Sequence, residues 1–169
     1  MARELSLSFR NALNAEATED AVITLVTITH PELDSAIRLS SDPTRRISVD
    51  PLRYGTVAEG VIYDFVLMSV IFPDDRMGAP AAVTLAFANV ADDMAAVIRA
   101  ALSPARVDIR CVLATAPDVV EEEWLDLRGV QGSYDDSRIT YDVSREAISN
   151  EPWPAHRMTQ ARFPRLYVG

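Results

Sequence analysis

The chain has 169 residues, 49% of them hydrophobic and 24% charged, with a formal net charge of −9. This is a globular composition, which excludes a disordered or fibrous chain, and the length fits one domain with a substantial core. The acidic balance argues against general nucleic-acid binding, and no apolar run reaches the roughly 18 residues that span a membrane.

Residues 3–16 place Leu5, Phe9, Ala12, Leu13 and Glu16 at helical spacing, which predicts a short amphipathic helix. Upstream, Met1–Glu4 leads into that segment rather than into the hydrophobic region of a signal peptide. Residues 21–30 are rich in β-branched side chains and predict a strand. His30-Pro31-Glu32-Leu33-Asp34 predicts a turn, because Pro31 fixes φ and Asp34 can bond nearby backbone. Residues 36–41 then close a hairpin, Asp42-Pro43 breaks it, and 45–50 form a third strand.

The segment from Pro51 to Gly60 reads as a loop punctuated by Gly55 and Gly60. Residues 61–72 read as one long strand stopped by Pro73-Asp74-Asp75, and 76–80 as a further loop. A strand over 82–90 follows, then a helix over 92–102 capped by Asn89 or Asp92, with acids in its first turn. Ser103-Pro104 ends that helix. Val107, Ile109, Cys111 and Leu113 alternate with Asp108, Arg110 and Val112, which predicts a strand over 105–115. Pro117-Asp118 turns the chain, and strands over 119–130 and 137–144 flank a turn region at Gly129–Asp136. The expected architecture is one α+β domain, mostly antiparallel β and sandwich- or barrel-like, with two short helices and an extended C-terminal arm. The body would be residues 1–150 and the arm 151–169.

All 16 basic residues are arginine. Every cation is therefore a planar fork suited to bidentate pairing with carboxylates. Residues 1–150 hold thirteen arginines against twenty-four acids, a net of −11, whereas 151–169 hold three against one. That arm mixes Trp153, Phe163, Leu166 and Tyr167 with Arg157, Arg162 and Arg165. Trp, Tyr and Arg dominate interface energetics, and Pro152, Pro154 and Pro164 keep the segment extended. These seven side chains are the candidate interface, packed either on the chain's own core or on a neighbour.

No catalytic constellation can be assembled. Neither His30 nor His156 falls in a zinc-ligand spacing, and no nucleophile elbow, Walker loop or dinucleotide fingerprint is present. The single cysteine, Cys111, excludes an intramolecular disulfide; it sits on the apolar row of its strand and reads as a buried, inert thiol. Asp74-Asp75, Asp92-Asp93, Glu121–Glu123 and Asp135-Asp136 read as solvated or capping acids, since no calcium-loop pattern supports them. Glu121 and Glu123 share a face of a regular strand and are the best carboxylate pair for a small hydrolase. No metal or cofactor is expected.

Several segments in order carry a resemblance: LSLSFRNALNAEAT (5–18), LVTITHPEL (25–33), FPDDRMGAPAAVTLAFANV (72–90), IRAALSPARV (98–107), VLATAPDVVEEEW (112–124) and NEPWPAHRMTQARFPRLY (150–167). In order and spacing they resemble a family of small tail-assembly proteins of long-tailed bacteriophages and prophages, long catalogued as a domain of unknown function. Residues 82–115 also resemble the N-terminal half of the minor tail protein of lambda-like phages. That relative has a cysteine-bearing iron–sulfur module; with Cys111 alone, this chain carries over no cluster.

The resemblance implies a virion structural protein, made in the bacterial host cytoplasm and placed at the tail tip or baseplate. It would form a homo-oligomeric ring of three or six subunits, as a hub or distal-tail component between the tail tube and the central hub or fibre. Other tail-tip and tail-tube proteins would be its partners, with no specific nucleic-acid binding, no membrane span and no enzymatic role. The loops at 42–60 and 73–80 would face those partners. The alternatives are a tail-assembly chaperone absent from the virion and, further off, the carboxylate hydrolase.

Overall fold

The computed structural model describes residues 5–18, 20–31, 33–72, 82–88, 105–134 and 138–145. They form one helix, α1 (Leu7–Asn14), and ten strands: β1 (Val22–Thr29), β2 (Ile37–Ser40), β3 (Arg45–Val49), β4 (Leu52–Ala58), β5 (Val61–Phe65), β6 (Met68–Ile71), β7 (Ala82–Ala88), β8 (Arg106–Leu113), β9 (Ala116–Tyr134) and β10 (Arg138–Ser144). The expected helix over 92–102, the loop at 73–80 and the arm with Trp153, Arg157, Arg162, Phe163, Arg165, Leu166 and Tyr167 lie outside the described residues.

The strands join in the order β3-β4-β5-β2-β1-β8-β9-β10-β7-β6. Chain connectivity forces this sheet to roll up. On a flat sheet β5 and β6 would lie seven strand steps apart, roughly 34 Å at the usual interstrand spacing. Yet only Val66 and Leu67 separate them, a span of at most about 11 Å. The hydrogen bonds show the closure directly. Phe65 pairs with Ser40 of β2, and the Val66 N–H donates to the Ser40 carbonyl at 3.0 Å. Just beyond, the Leu67 carbonyl accepts from the Ala88 N–H of β7 at 2.8 Å, and β6 continues antiparallel to β7. Residues 61–71 thus act as one bent stave bonded to both ends of the run β2-β1-β8-β9-β10-β7.

The directions agree with that closure. A ring of seven staves cannot alternate throughout, so at least one neighbouring pair must be parallel. β2 with β5 is that pair, and the other six contacts are antiparallel. The mostly antiparallel β architecture expected from the sequence is therefore observed among the described residues.

The barrel interior is filled rather than open. Val26, Ile28, Leu39, Val83, Leu85, Phe87, Val107, Ile109, Leu127, Ile139 and Val143 belong to one buried cluster drawn from six of the staves. Phe72, just past β6, stacks on Trp124 of β9 with ring centroids 4.8 Å apart. A second, smaller cluster lies outside the barrel, where Ala58 and Tyr63 of the β4–β5 hairpin cover Ile23, Leu25 and Val112. This explains why Val112 interrupts the polar row of β8: its face of the strand is covered by the hairpin rather than by water.

Four expectations need correction. The 51–60 loop is strand β4, joined to β5 by a two-residue turn in which Glu59 (φ 51°) and Gly60 (φ 75°) both take the left-handed conformation of the favoured hairpin turns. The long strand over 61–72 is broken at Val66–Leu67, because there the chain changes partner from β2 to β7. The turn expected at Pro117-Asp118 falls at Ala114–Thr115, so Pro117 lies near the start of β9, where a missing N–H is tolerated. Finally, Gly129 to Tyr134 are strand rather than turn, since they pair with Val143 to Ile139 of β10 across a bulge that leaves Val130 as an extra residue.

Gly55 marks the closest approach in the hairpin. A Cβ there would sit 1.9 Å from the Tyr63 carbonyl oxygen, a backbone atom that cannot move aside without breaking the β4–β5 ladder. Gly55→Ala is expected to destabilise the fold by about 2–4 kcal/mol, read as a lowered denaturant midpoint with an unchanged slope.

Candidate interaction surface

Beyond Gly55, β4 parts from β5 and pairs only with β3, so the two strands project as a hairpin. Its root is fixed by short-range chemistry. Asp42 accepts from the Thr44 N–H at 3.0 Å and from the Thr44 hydroxyl at 2.7 Å, the local turn that Asp-Pro favours. The buried Ser40 and Thr56 hydroxyls bond each other at 2.7 Å, joining β2 to the root of β4. On one face Arg53 grips Asp64 of β5 through a bidentate pair.

The opposite face is uncovered. β3 holds an extra residue between Arg46 and Ser48, so Arg46 pairs with Tyr54 while Val49 pairs with Leu52. The bulge at Ile47 thereby places Arg46, Val49, Leu52 and Tyr54 on one face, although Arg46 and Val49 are three apart in sequence. Val49 is 70% exposed, Leu52 61% and Tyr54 40%. Arg45 and Arg46 are exposed as well. Three large apolar side chains with arginine beside them have the composition of an interface rather than of an ordinary solvent face. Sequence reading placed a loop over 51–60 because Gly55 and Gly60 punctuate it. The usable signal was two alternating runs separated by Glu59-Gly60.

At the other end of β4 the surface is acidic. The Glu59 N–H donates to the Asp118 carboxylate, and Arg110 lies 3.4 Å from Glu59 and 3.7 Å from Glu123. Val119, 51% exposed, stands next to Asp118. Arg106, Asp108, Asp126 and Arg128 form a second, looser group, with charged atoms 3.4–3.9 Å apart. These exposed pairs add little stability individually and serve mainly to pattern charge.

Glu121 and Glu123 do not act together. Val120 pairs with Val112 and Glu122 with Cys111, so Glu121 is an extra residue that breaks the alternation assumed for a regular strand. Its carboxylate instead anchors α1. The Ser6 N–H donates to Glu121 Oε2 at 3.0 Å and the Ser6 hydroxyl to Oε1 at 2.6 Å, while Ser6 Oγ accepts from the Phe9 N–H at 3.1 Å. Ser6 is thus both the helix N-cap and its tether to β9. Phe9 is the only buried side chain of α1, so this polar anchor decides whether the helix stays docked. The other chemistry-bearing residues read from sequence are not gathered. His30 is buried beside its turn, and no group of three His, Cys, Asp or Glu that could hold a metal occurs among the described residues. An open recess of about 340 Å³ lies along β6 and β7, lined by Leu67, Met68, Phe87 and Arg138 among others. No helix among the described residues is long and apolar enough to cross a membrane.

Cys111 is buried, as its place in the apolar row implied. Burial, helped by the neighbouring Glu122 carboxylate, pushes its thiol up to about 11, against a partly compensating hydrogen bond with Thr24. Burial also raises the Tyr141 phenol, offset in part by a backbone hydrogen bond at Ala105.

Two outcomes follow from these groups. Glu121→Ala is expected to release α1, raising amide exchange across residues 7–14 while costing only about 1–2 kcal/mol of global stability. The Cys111 thiol has a higher pKa folded than unfolded, so the folded state keeps its proton where the unfolded state loses it. Its contribution is complete below pH 9 and is lost as pH rises to about 11. Cys111→Ala should therefore flatten the decline in stability over that window, measured by urea unfolding at successive pH values.

No curated protein matches this chain. A family model, described as a domain of unknown function (DUF1833), matches residues 8–158, and the chain belongs to that family.

Proposed function

We propose that this protein is a structural subunit of the tail tip of a long-tailed bacteriophage, forming a homo-oligomeric ring that connects the tail tube to the central hub or fibre. Its role is structural rather than enzymatic. The observation that carries the reading is the projecting β3–β4 hairpin, which presents Val49, Leu52 and Tyr54 to solvent from a closed barrel. A closed barrel whose core is already filled gains nothing internally from such a face, whereas an assembling subunit gains an adhesive one.

Two further points support it. The motifs that resemble those of tail-assembly proteins follow one another in sequence from Leu5 to Tyr167, nearly the whole chain. The hydrolase alternative is weakened, because Glu121 is committed to the cap of α1 and Glu123 lies beside Arg110. In the ring the arm residues Trp153, Arg157, Arg162, Phe163, Arg165, Leu166 and Tyr167 supply a second grip on a neighbour. The finished subunit belongs to the virion, with other tail-tip and tail-tube proteins above and below it.

Quantitative mass spectrometry of purified, tailed particles tests the proposal. The expected result is this chain at a fixed stoichiometry with the tail-tube protein. Its absence from particles that are otherwise complete would overturn the proposal in favour of an assembly chaperone.

A further inference from the structure

The hairpin face and the acidic surface lie at opposite ends of one strand. Leu52 begins β4 and Ala58 ends it immediately before Glu59, a separation of roughly 20 Å along an extended strand. The two surfaces are opposite in charge. With Arg53 paired to Asp64, the projecting ribbon keeps exposed Arg46 on its apolar face and exposed Arg45 on its reverse against Asp50, a small positive balance within a chain of net charge −9. At the other end Arg110 lies between Glu59 and Glu123, Asp118 accepts from the Glu59 N–H, and exposed Val119 follows Asp118, so three acids stand against one cation there. Each surface therefore pairs exposed apolar side chains with a net charge opposite to the other's.

We infer that the occupant of the hairpin face is a second copy of this chain. Arg46, Val49, Leu52 and Tyr54 of one copy dock on the Glu59–Asp118–Val119–Glu123 surface of the next, with Arg45 on the reverse face of the same ribbon adding positive charge at that end. The inference rests on the ring reading above and specifies its subunit contact. Because the two surfaces differ and stand apart on each molecule, the contact is head-to-tail. Contacts of that kind generate closed rings when the rotation closes, rather than two-fold dimers. Pairing of two β3 edges is the competing geometry. The bulge at Ile47 interrupts the β3 ladder and blunts that edge, which favours side-chain docking over strand addition. Opposite charge at the two ends also suppresses hairpin-to-hairpin contact, where arginines would meet arginines.

Two charge-reversed full-length chains test this by sedimentation and light scattering. One carries Arg45→Glu with Arg46→Glu; the other carries Glu59→Arg with Glu123→Arg. Circular dichroism confirms that each is folded. The wild-type chain is expected to self-associate, more weakly as salt rises, and each variant alone to lose more than about tenfold in association. An equimolar mixture of the two should regain association, since each reversed surface then meets its reversed complement. A two-fold contact between hairpins would instead leave the chain with Glu59→Arg and Glu123→Arg associating as the wild type does. If either variant associates as the wild type does, or if mixing restores nothing, the head-to-tail contact is wrong while the ring reading stands. If the wild-type chain stays monomeric at every concentration and salt, the homo-oligomeric ring falls together with this contact. A third variant, Leu52→Asp, should weaken association in the wild-type charge background without rescue by either partner; wild-type association by it would remove the apolar face from the contact.

Discussion

The structure depends on one segment that hydrogen-bonds in two directions. Residues 61–71 lie against β2 at Phe65–Val66 and against β7 from Leu67 onward. Without that bent stave the run from β2 to β7 would be an open sheet with two exposed edges, and its apolar inner face would lack a wall. With it, the buried cluster from Val26 to Val143 is enclosed by the backbone that generates it. Closure is also the most complete way to remove strand edges, which otherwise recruit other chains without discrimination.

Closure concentrates the remaining adhesive surface. The bonded ring absorbs β2, β1, β8, β9, β10 and β7, and the β4–β5 hairpin covers the outer face of β1 and β8 through Ala58 and Tyr63. The continuation of β4 past Gly55 has no barrel wall to lie on. Its apolar side chains are exposed because of where the strand is, and the bulge at Ile47 then gathers them with Arg46 on one face. A two-stranded ribbon of this kind is poorly stable alone. Its root is therefore braced by the Ser40–Thr56 hydroxyl pair, the Asp42 turn and the Arg53–Asp64 grip.

Much of this was legible in the sequence, and the losses have physical causes. The alternation of β1, β7 and β8 identifies them directly, because each has one row of apolar residues facing the filled interior. Cys111 falls in such a row and is buried there. Alternation fails where two residues oppose one. Glu121 and Ile47 are both extra residues in their strands, and each shifts every later side chain to the other face relative to a regular count. The carboxylate pairing of Glu121 with Glu123 was lost for that reason. Asp126 adds a third irregularity in β9, with φ at 58° and its N–H bonded to the Asp108 carboxylate at 2.8 Å. Partner exchange is the other invisible event. Nothing in the apolar string of 61–72 marks Val66–Leu67 as the place where the neighbouring strand changes, because that is set by residues distant in sequence.

The arginine-only cation set gains meaning on this body. Arg53 on Asp64 uses two nitrogens on two carboxylate oxygens, a geometry a lysine cannot reproduce. Arg110 reaches Glu59 on one hairpin and Glu123 on another strand, so one planar group ties the β4–β5 cover to the barrel wall. The same property suits the hairpin face. A guanidinium is weakly hydrated and can lie flat against aromatic and aliphatic neighbours, so Arg46 opposite Tyr54 adds charge without forbidding burial. A lysine-bearing face would keep its water and resist docking. The cations that hold the cover down and those that stand beside the exposed face thus share one chemistry, and what separates their roles is whether a carboxylate of the same chain lies within reach.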